Sequence, residues 1–172
     1  EVMGIDSDFG RAYAKAQIQA GNTLPTQGRV LVSMRTEEQA GIVGPVKELI
    51  DCGFEVVATR GTAETLSKAG LKVTSINKVH EGSPHCVDEI DSGRIQLVLN
   101  TVAPDAKAIE DSASIRRSAV QRGVPYCTTL AAARASASAV RALSLESIGV
   151  RSLQEIHAGL HSDHHSVLHS DH

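Results

Sequence analysis

Five short apolar runs, separated by helical segments, constrain this chain more than any other feature. The runs are 29–34 (RVLVSM), 55–59 (EVVAT), 72–76 (KVTSI), 95–102 (IQLVLNTV) and 124–129 (VPYCTT). They are rich in Val, Ile and Leu and lack strict polar alternation, the pattern of parallel strands buried on both faces. Between them, Val46, Leu49 and Ile50 mark one helical face, and further helices are expected over 62–68, 87–91, 106–121 and 130–143. Gly53, Gly70, Gly93 and Gly123 follow four of these helices as left-handed stops. T-x-x-Q at 36–39 resembles a capping box, with Pro45 either starting a helix or kinking one begun at Thr36. Such alternation predicts an α/β three-layer sandwich with a five-stranded, mainly parallel sheet and right-handed crossovers, Rossmann-like in its general plan.

Ahead of this unit, Phe9, Ala12, Tyr13, Ala16 and Ala20 share one face of a helix over 8–20, stopped by Gly21-Asn22. The stretch Leu24-Pro25-Thr26-Gln27-Gly28 reads as a linker. The expected organisation is therefore a stub over 1–24, a core domain over 25–159 and a His-rich tail over 160–172. Because residue 1 is Glu, the opening reads as a cut within a longer polypeptide. After Ser152, SLQEIHAG is expected to form a last helical turn.

Composition narrows the function classes. The 172 residues carry a net charge of −3, with two Phe, two Tyr and no Trp. Neither a basic field nor a base-stacking platform for nucleic acid is available. No apolar run approaches a membrane span, and the cytoplasm is the expected compartment. Three cysteines without C-x-x-C argue against a disulfide scaffold or zinc ribbon. Six of the eight histidines lie in the last sixteen residues, where HSDH occurs at 161–164 and again at 169–172. Histidines four apart could share a metal on a helix, but a disordered or appended polar tail is the preferred reading, and no metal site is expected.

Ligands of open parallel sheets bind outside the carboxyl ends of the strands. Those ends carry Ser33, Thr59, Asn77 and Lys78, Asn100 and Thr101, and Thr128 and Thr129: hydroxyls, amides and one cation, without a carboxylate. That selection suits an anion such as phosphate. T-R-G-T at 59–62 sharpens it, because Gly61 permits close backbone approach and Thr62 opens the next helix, whose N–H groups attract anions. Catalytic signatures such as G-x-S-x-G, H-E-x-x-H and the P-loop are missing. His80, Glu81 and His85 in HEGSPH are read as structural hydrogen-bonding groups rather than acid–base catalysts. Cys127 is read as a small buried hydrophobe, and Cys52 and Cys86 lack a matched His–Asp pattern. Arg116 and Arg117 point about 100° apart on a helix, so a solvated face or pairing with Glu110 or Asp111 is expected. The alanines at 131–139 should give a thin helix that packs closely on the sheet.

These residues carry a resemblance. EVMG (1–4), ATRGTAETL (58–66), INKVHEGSPH (76–85), VLNTV (98–102), AIEDSASIRRSAVQRGVPYCTTL (108–130) and LQEIHA (153–158) resemble the C-terminal end of carbamoyl-phosphate synthase large subunits. Residues 1–24 then resemble the exit of an ATP-grasp synthetase domain, and 25–159 the methylglyoxal-synthase-like regulatory domain. The resemblance implies an allosteric module of a glutamine-hydrolysing ligase serving pyrimidine and arginine biosynthesis. It implies UMP or IMP bound through Thr59, Gly61, Thr62, Lys78, Asn100 and Thr101, with ornithine near Thr128. No catalytic residue or cofactor is implied for this segment; ATP with Mg or Mn belongs to the parent enzyme. Implied partners are the synthetase domains of the same chain, the small glutaminase subunit and a second copy. Two departures stand out: Gln39 occupies the place of a phosphate-assisting lysine, and Val102 that of a threonine. The alternative class is an enzyme of the same fold, of the methylglyoxal synthase or IMP cyclohydrolase type. A third reading is a pure interaction module.

Overall fold

The computed structural model describes residues 2–145, 148–150 and 152–158. Its elements are α1 (Phe9–Gln19), β1 (Gly28–Ser33), α2 (Val43–Asp51), β2 (Phe54–Thr59), α3 (Arg60–Lys68), β3 (Thr74–Ile76), α4 (Cys86–Asp91), β4 (Leu97–Asn100), α5 (Ala106–Arg122), β5 (Tyr126–Cys127) and α6 (Leu130–Leu145). The five strands form one sheet in the order β3-β2-β1-β4-β5. Every pairing is parallel, so the mainly parallel sheet expected from the sequence is wholly parallel.

Alternation along the strands sends successive side chains to opposite faces. Val30, Val32, Val56, Ala58, Leu97 and Leu99 point into one core with Val46 and Leu49 of α2, Ala63 and Leu66 of α3, and Ala133, Ala137 and Val140 of α6. Leu31, Val57 and Val98 point into the other, with Cys86 and Ile90 of α4 and Ile115 and Ala119 of α5. Both faces being dry explains why the strands read as continuous apolar runs. β5 keeps only two residues of the six expected, and β3 only three of five.

The four helix-stop glycines all take positive φ, with Gly123 closing α5 in the left-handed conformation at φ 66°. The T-x-x-Q segment does not cap a helix. Thr36–Glu38 and Ala40–Ile42 are two 3-10 turns, and the Gln39 side chain turns back to Met34 O. Helix α2 begins later, and Pro45 falls in its first turn, where its missing N–H costs nothing. As expected, residues 153–158 are helical, opened by Ser152, whose N and Oγ both donate to Glu155 Oε2 (2.6 and 2.9 Å). The two HSDH segments lie outside the described residues.

Within the segment expected as a stub, α1 packs along α6, and Ala14 and Leu24 enter the main core. Gly10 makes this possible, since a Cβ there would lie 2.6 Å from the Ser138 carbonyl oxygen. Gly10→Ala should therefore destabilise the protein: overpacking against backbone costs about 1–3 kcal/mol, more than the gain of up to roughly 1 kcal/mol in helix propensity. Thermal unfolding should show a Tm lower by about 2–4 °C. An unchanged or higher Tm would mean that α1 is not seated on α6.

The cysteines give a second check. Cys86 is fully buried, and desolvation pushes its thiol up to about 12. Burial likewise raises Cys127, whose Sγ lies 3.2 Å from Ser136 Oγ, as its reading as a buried hydrophobe requires. Cys52, at the end of α2, is only half-buried. A disulfide reagent at pH 8 should react quickly with one thiol of the folded chain and with all three after denaturation. Two or three fast thiols in the native state would contradict the packing of α4 and β5.

Candidate functional site

The sheet changes direction at β1. The chain moves outward through β2 and β3, then crosses back to place β4 on the other side of β1. Helix α2 leaves β1 toward one face and α5 leaves β4 toward the other, so a crevice opens between the carboxyl ends of β1 and β4. It is lined by Ser33, Met34, Arg35, Lys78, Asn100, Thr101 and Val102, and by Asp111, Ser112 and Ile115 of α5. Its free volume is about 40 Å³, room for a few waters or one small oxyanion. A wider groove of about 480 Å³ adjoins it along α5 and shares Val102 and Ser112 with it.

Four of the strand-end residues named from the sequence therefore meet in one place: Ser33, Lys78, Asn100 and Thr101. Asn100 is oriented by its amide, which donates to Tyr126 OH (2.7 Å) and Ser112 Oγ (3.0 Å). Thr101 accepts from Arg35 N through Oγ1 (3.0 Å), while its own N–H donates to Ser33 O (2.9 Å). Lys78 N donates to Glu81 Oε2 (2.8 Å), and among the described residues the Lys78 ammonium has no ion-pair partner.

Thr59, Gly61 and Thr62 stand beside the crevice. Thr59 Oγ1 lies 3.3 Å from Ser33 Oγ, and both threonines are buried. Thr62 Oγ1 accepts from Met34 N (3.0 Å), which ties the start of α3 to the end of β1. Gln39 closes the same corner: it accepts from Thr65 Oγ1 (2.9 Å), and its Nε2 lies 3.2 Å from where a Cβ on Gly61 would sit. Thr128 is exposed just beyond β5 and does not line the crevice.

Four residues that shape the site were not singled out for it from the sequence. Arg35 follows β1 directly and carries the second cation of the crevice. Asp111 and Ser112 belong to a stripe of α5, with Ala108 and Ile115, whose i, i+3, i+4, i+7 spacing was readable. Tyr126 holds Asn100 from β5. The strand ends themselves carry no carboxylate, but helix α5 brings Asp111 to the crevice.

Arg116 and Arg117 are both exposed, as one of their expected roles requires, and among the described residues neither pairs with Asp111. The Asp111 carboxylate accepts from His80 N (3.1 Å), and its Oδ2 lies 2.5 Å from His80 Nδ1. The Arg116 guanidinium instead sits over the Tyr126 ring, 5.6 Å from its centroid, a cation–π contact. His85 opens α4, its Nδ1 accepting from Asp88 N (3.3 Å) while Asp88 Oδ2 accepts from His85 N (2.9 Å). The structural reading of both histidines agrees with these contacts. Among the described residues, no three His, Cys, Asp or Glu side chains gather to hold a metal ion, and no helix is long and apolar enough to cross a membrane.

Electrostatically, the crevice sets Lys78 and Arg35 against Asp111 and, behind Arg35, Glu38. Arg35 Nη2 lies 2.8 Å from Glu38 Oε1. Burial would raise the Glu38 carboxyl, but hydrogen bonds from Arg35 and Thr101 outweigh it and hold the group below the usual carboxylate range. The arrangement can hold an anion by charge and by hydroxyls already fixed in position.

Comparison with known proteins places the sequence in a family. The model of the MGS-like domain matches residues 41–128. The chain is 47% identical over 155 residues to the carbamoyl phosphate synthase large chain of Brucella suis, covering 90% of this chain and 13% of that protein. It is 46% identical over 159 residues to the corresponding chain of Acidobacterium capsulatum, covering 92% and 14%. In Methanopyrus kandleri it is 43% identical over 159 residues to the carbamoyl phosphate synthase large chain, C-terminal section, covering 92% and 29%. The chain thus spans a small part of each relative's length, and over that part it belongs to the MGS-like domain family.

Proposed function

We propose that this domain is the effector-binding module of a carbamoyl-phosphate synthase large chain and binds a nucleotide monophosphate, UMP or IMP. The observation that carries the reading is the convergence of Lys78 and Arg35 with the hydroxyls of Ser33, Thr101 and Ser112 at the β1/β4 switch point. The phosphate is assigned to this crevice and to the neighbouring start of α3 at Thr59, Gly61 and Thr62, where the helix offers backbone N–H groups and the buried threonine hydroxyls brace the end of β1. Only the phosphate fits a space of about 40 Å³, so the nucleoside must lie outside it or widen it. Thr128, at the end of β5, is assigned to the ornithine side.

In the parent enzyme, a cytoplasmic ligase under this reading, the module shifts activity by binding its effector differently in two states of the whole chain. ATP and its divalent ion belong to the synthetase domains, and no residue described here is assigned to them. The synthetase domains, the small glutaminase subunit and a second copy are the proposed partners.

A second reading, an enzyme of the same fold acting on a phosphorylated substrate, draws on the His80–Asp111 pair at the crevice wall. Both oxygens of Asp111 are engaged by His80, which fits a tie between the loop and α5 better than a base poised for substrate.

Calorimetric titration with UMP, IMP and ornithine separately tests the proposal. Lys78→Ala should weaken nucleotide binding about tenfold or more, the worth of a charge-assisted hydrogen bond. Gln39→Lys should strengthen it, since the new ammonium would enter the corner beside Gly61. No nucleotide binding at millimolar concentration by a folded protein would overturn the reading. Conversion of dihydroxyacetone phosphate to methylglyoxal would favour the enzyme.

A further inference from the structure

Two cations line the crevice, and they are not equally available. Lys78 has no ion-pair partner among the described residues, whereas Arg35 is held by Glu38 at 2.8 Å. The Glu38 side chain is 20% exposed and that of Arg35 42%. Glu38 Oε2 is buried and meets no hydrogen-bond donor in good geometry. A half-satisfied buried carboxylate is a costly group to keep in a fold. Glu38 is nonetheless kept ionised, because Arg35 and the nearby Thr101 hydroxyl stabilise its charge. Both of these donors also line the crevice.

We propose that Glu38 is a built-in competitor for the anion, a positioning residue that occupies Arg35 and thereby sets how strongly the crevice draws a phosphate. The proposal rests on the anion-binding reading above. An entering phosphate meets Lys78 directly but must draw the Arg35 guanidinium away from Glu38, and the carboxylate repels it while that happens. The intrinsic affinity is therefore lower than the two cations alone would give. Replacing Glu38 by glutamine keeps the side chain's shape and an acceptor for Arg35 while removing the charge.

The test is calorimetric titration of the full chain with inorganic phosphate, comparing wild type, Glu38→Gln, Arg35→Ala, the double variant and Lys78→Ala. Glu38→Gln should bind phosphate about fivefold more tightly, the worth of freeing a partly exposed ion pair, with a steeper loss of affinity as salt rises. In the Arg35→Ala background the same change should give a clearly smaller gain, that of relieved repulsion alone. Damage to the fold would weaken binding, so the sign separates the proposal from a merely structural role, and circular dichroism confirms folding. If wild type binds phosphate and depends on Lys78, yet Glu38→Gln binds no more tightly, or its gain is undiminished without Arg35, the role of Glu38 is overturned while the anion reading stands. If neither wild type nor Glu38→Gln binds phosphate, the anion reading falls and takes this proposal with it.

Discussion

The reversal of direction at β1 decides where everything else in this domain lies. Val30, Leu31 and Val32 are fully buried, with β2 on one side and β4 on the other. A strand in that position must be apolar on both faces, and truncating one such side chain to alanine typically costs about 2–5 kcal/mol. Once β1 is central, right-handed connections send α2 and α3 to one face and α4 and α5 to the other. The gap between the ends of β1 and β4 is then a geometric consequence, and polar residues placed there face neither core.

What turns the gap into a site is the way its backbone is pinned. Met34, just past β1, is tied to α3 through Thr62 Oγ1, while its neighbours are tied to β4 through Ser33 O and Arg35 N. Three elements that bear polar groups are thereby fixed before any ligand arrives, which lowers the ordering cost of binding. The same pinning brings charges of both signs together. Lys78 and Arg35 face Asp111 and Glu38, so the crevice is tuned by opposition rather than strongly positive.

Much of this was legible in the sequence, for physical reasons that differ between residues. Strand ends are local features, and Ser33, Lys78, Asn100 and Thr101 could be found because a buried strand announces where it stops. Thr62 reads from the sequence as opening a helix that in fact begins at Arg60, and its tie to Met34 links residues 28 apart, which no local pattern encodes. Arg116 and Arg117 lie on an exposed face of α5, one of the two roles expected, whereas the alternative pairing with Asp111 does not form, because tertiary contacts with His80 and the Tyr126 ring win. The T-x-x-Q at 36–39 failed as a cap because Gln39 found Met34 O and Thr65 across space. Helix α1 was legible as a helix but not in its buried face: the 3–4 spacing pointed to Phe9, Ala12, Tyr13, Ala16 and Ala20, whereas Gly10 and Ala14 are the buried residues and Phe9 is exposed.

Mapping amide chemical shifts during titration with inorganic phosphate tests the central claim most directly. The largest changes should fall on residues 33–35, 60–62, 78 and 100–102, around the β1/β4 switch point, and in Lys78→Ala they should need about tenfold more phosphate or greater. Changes centred elsewhere, or none at saturating phosphate, would contradict it.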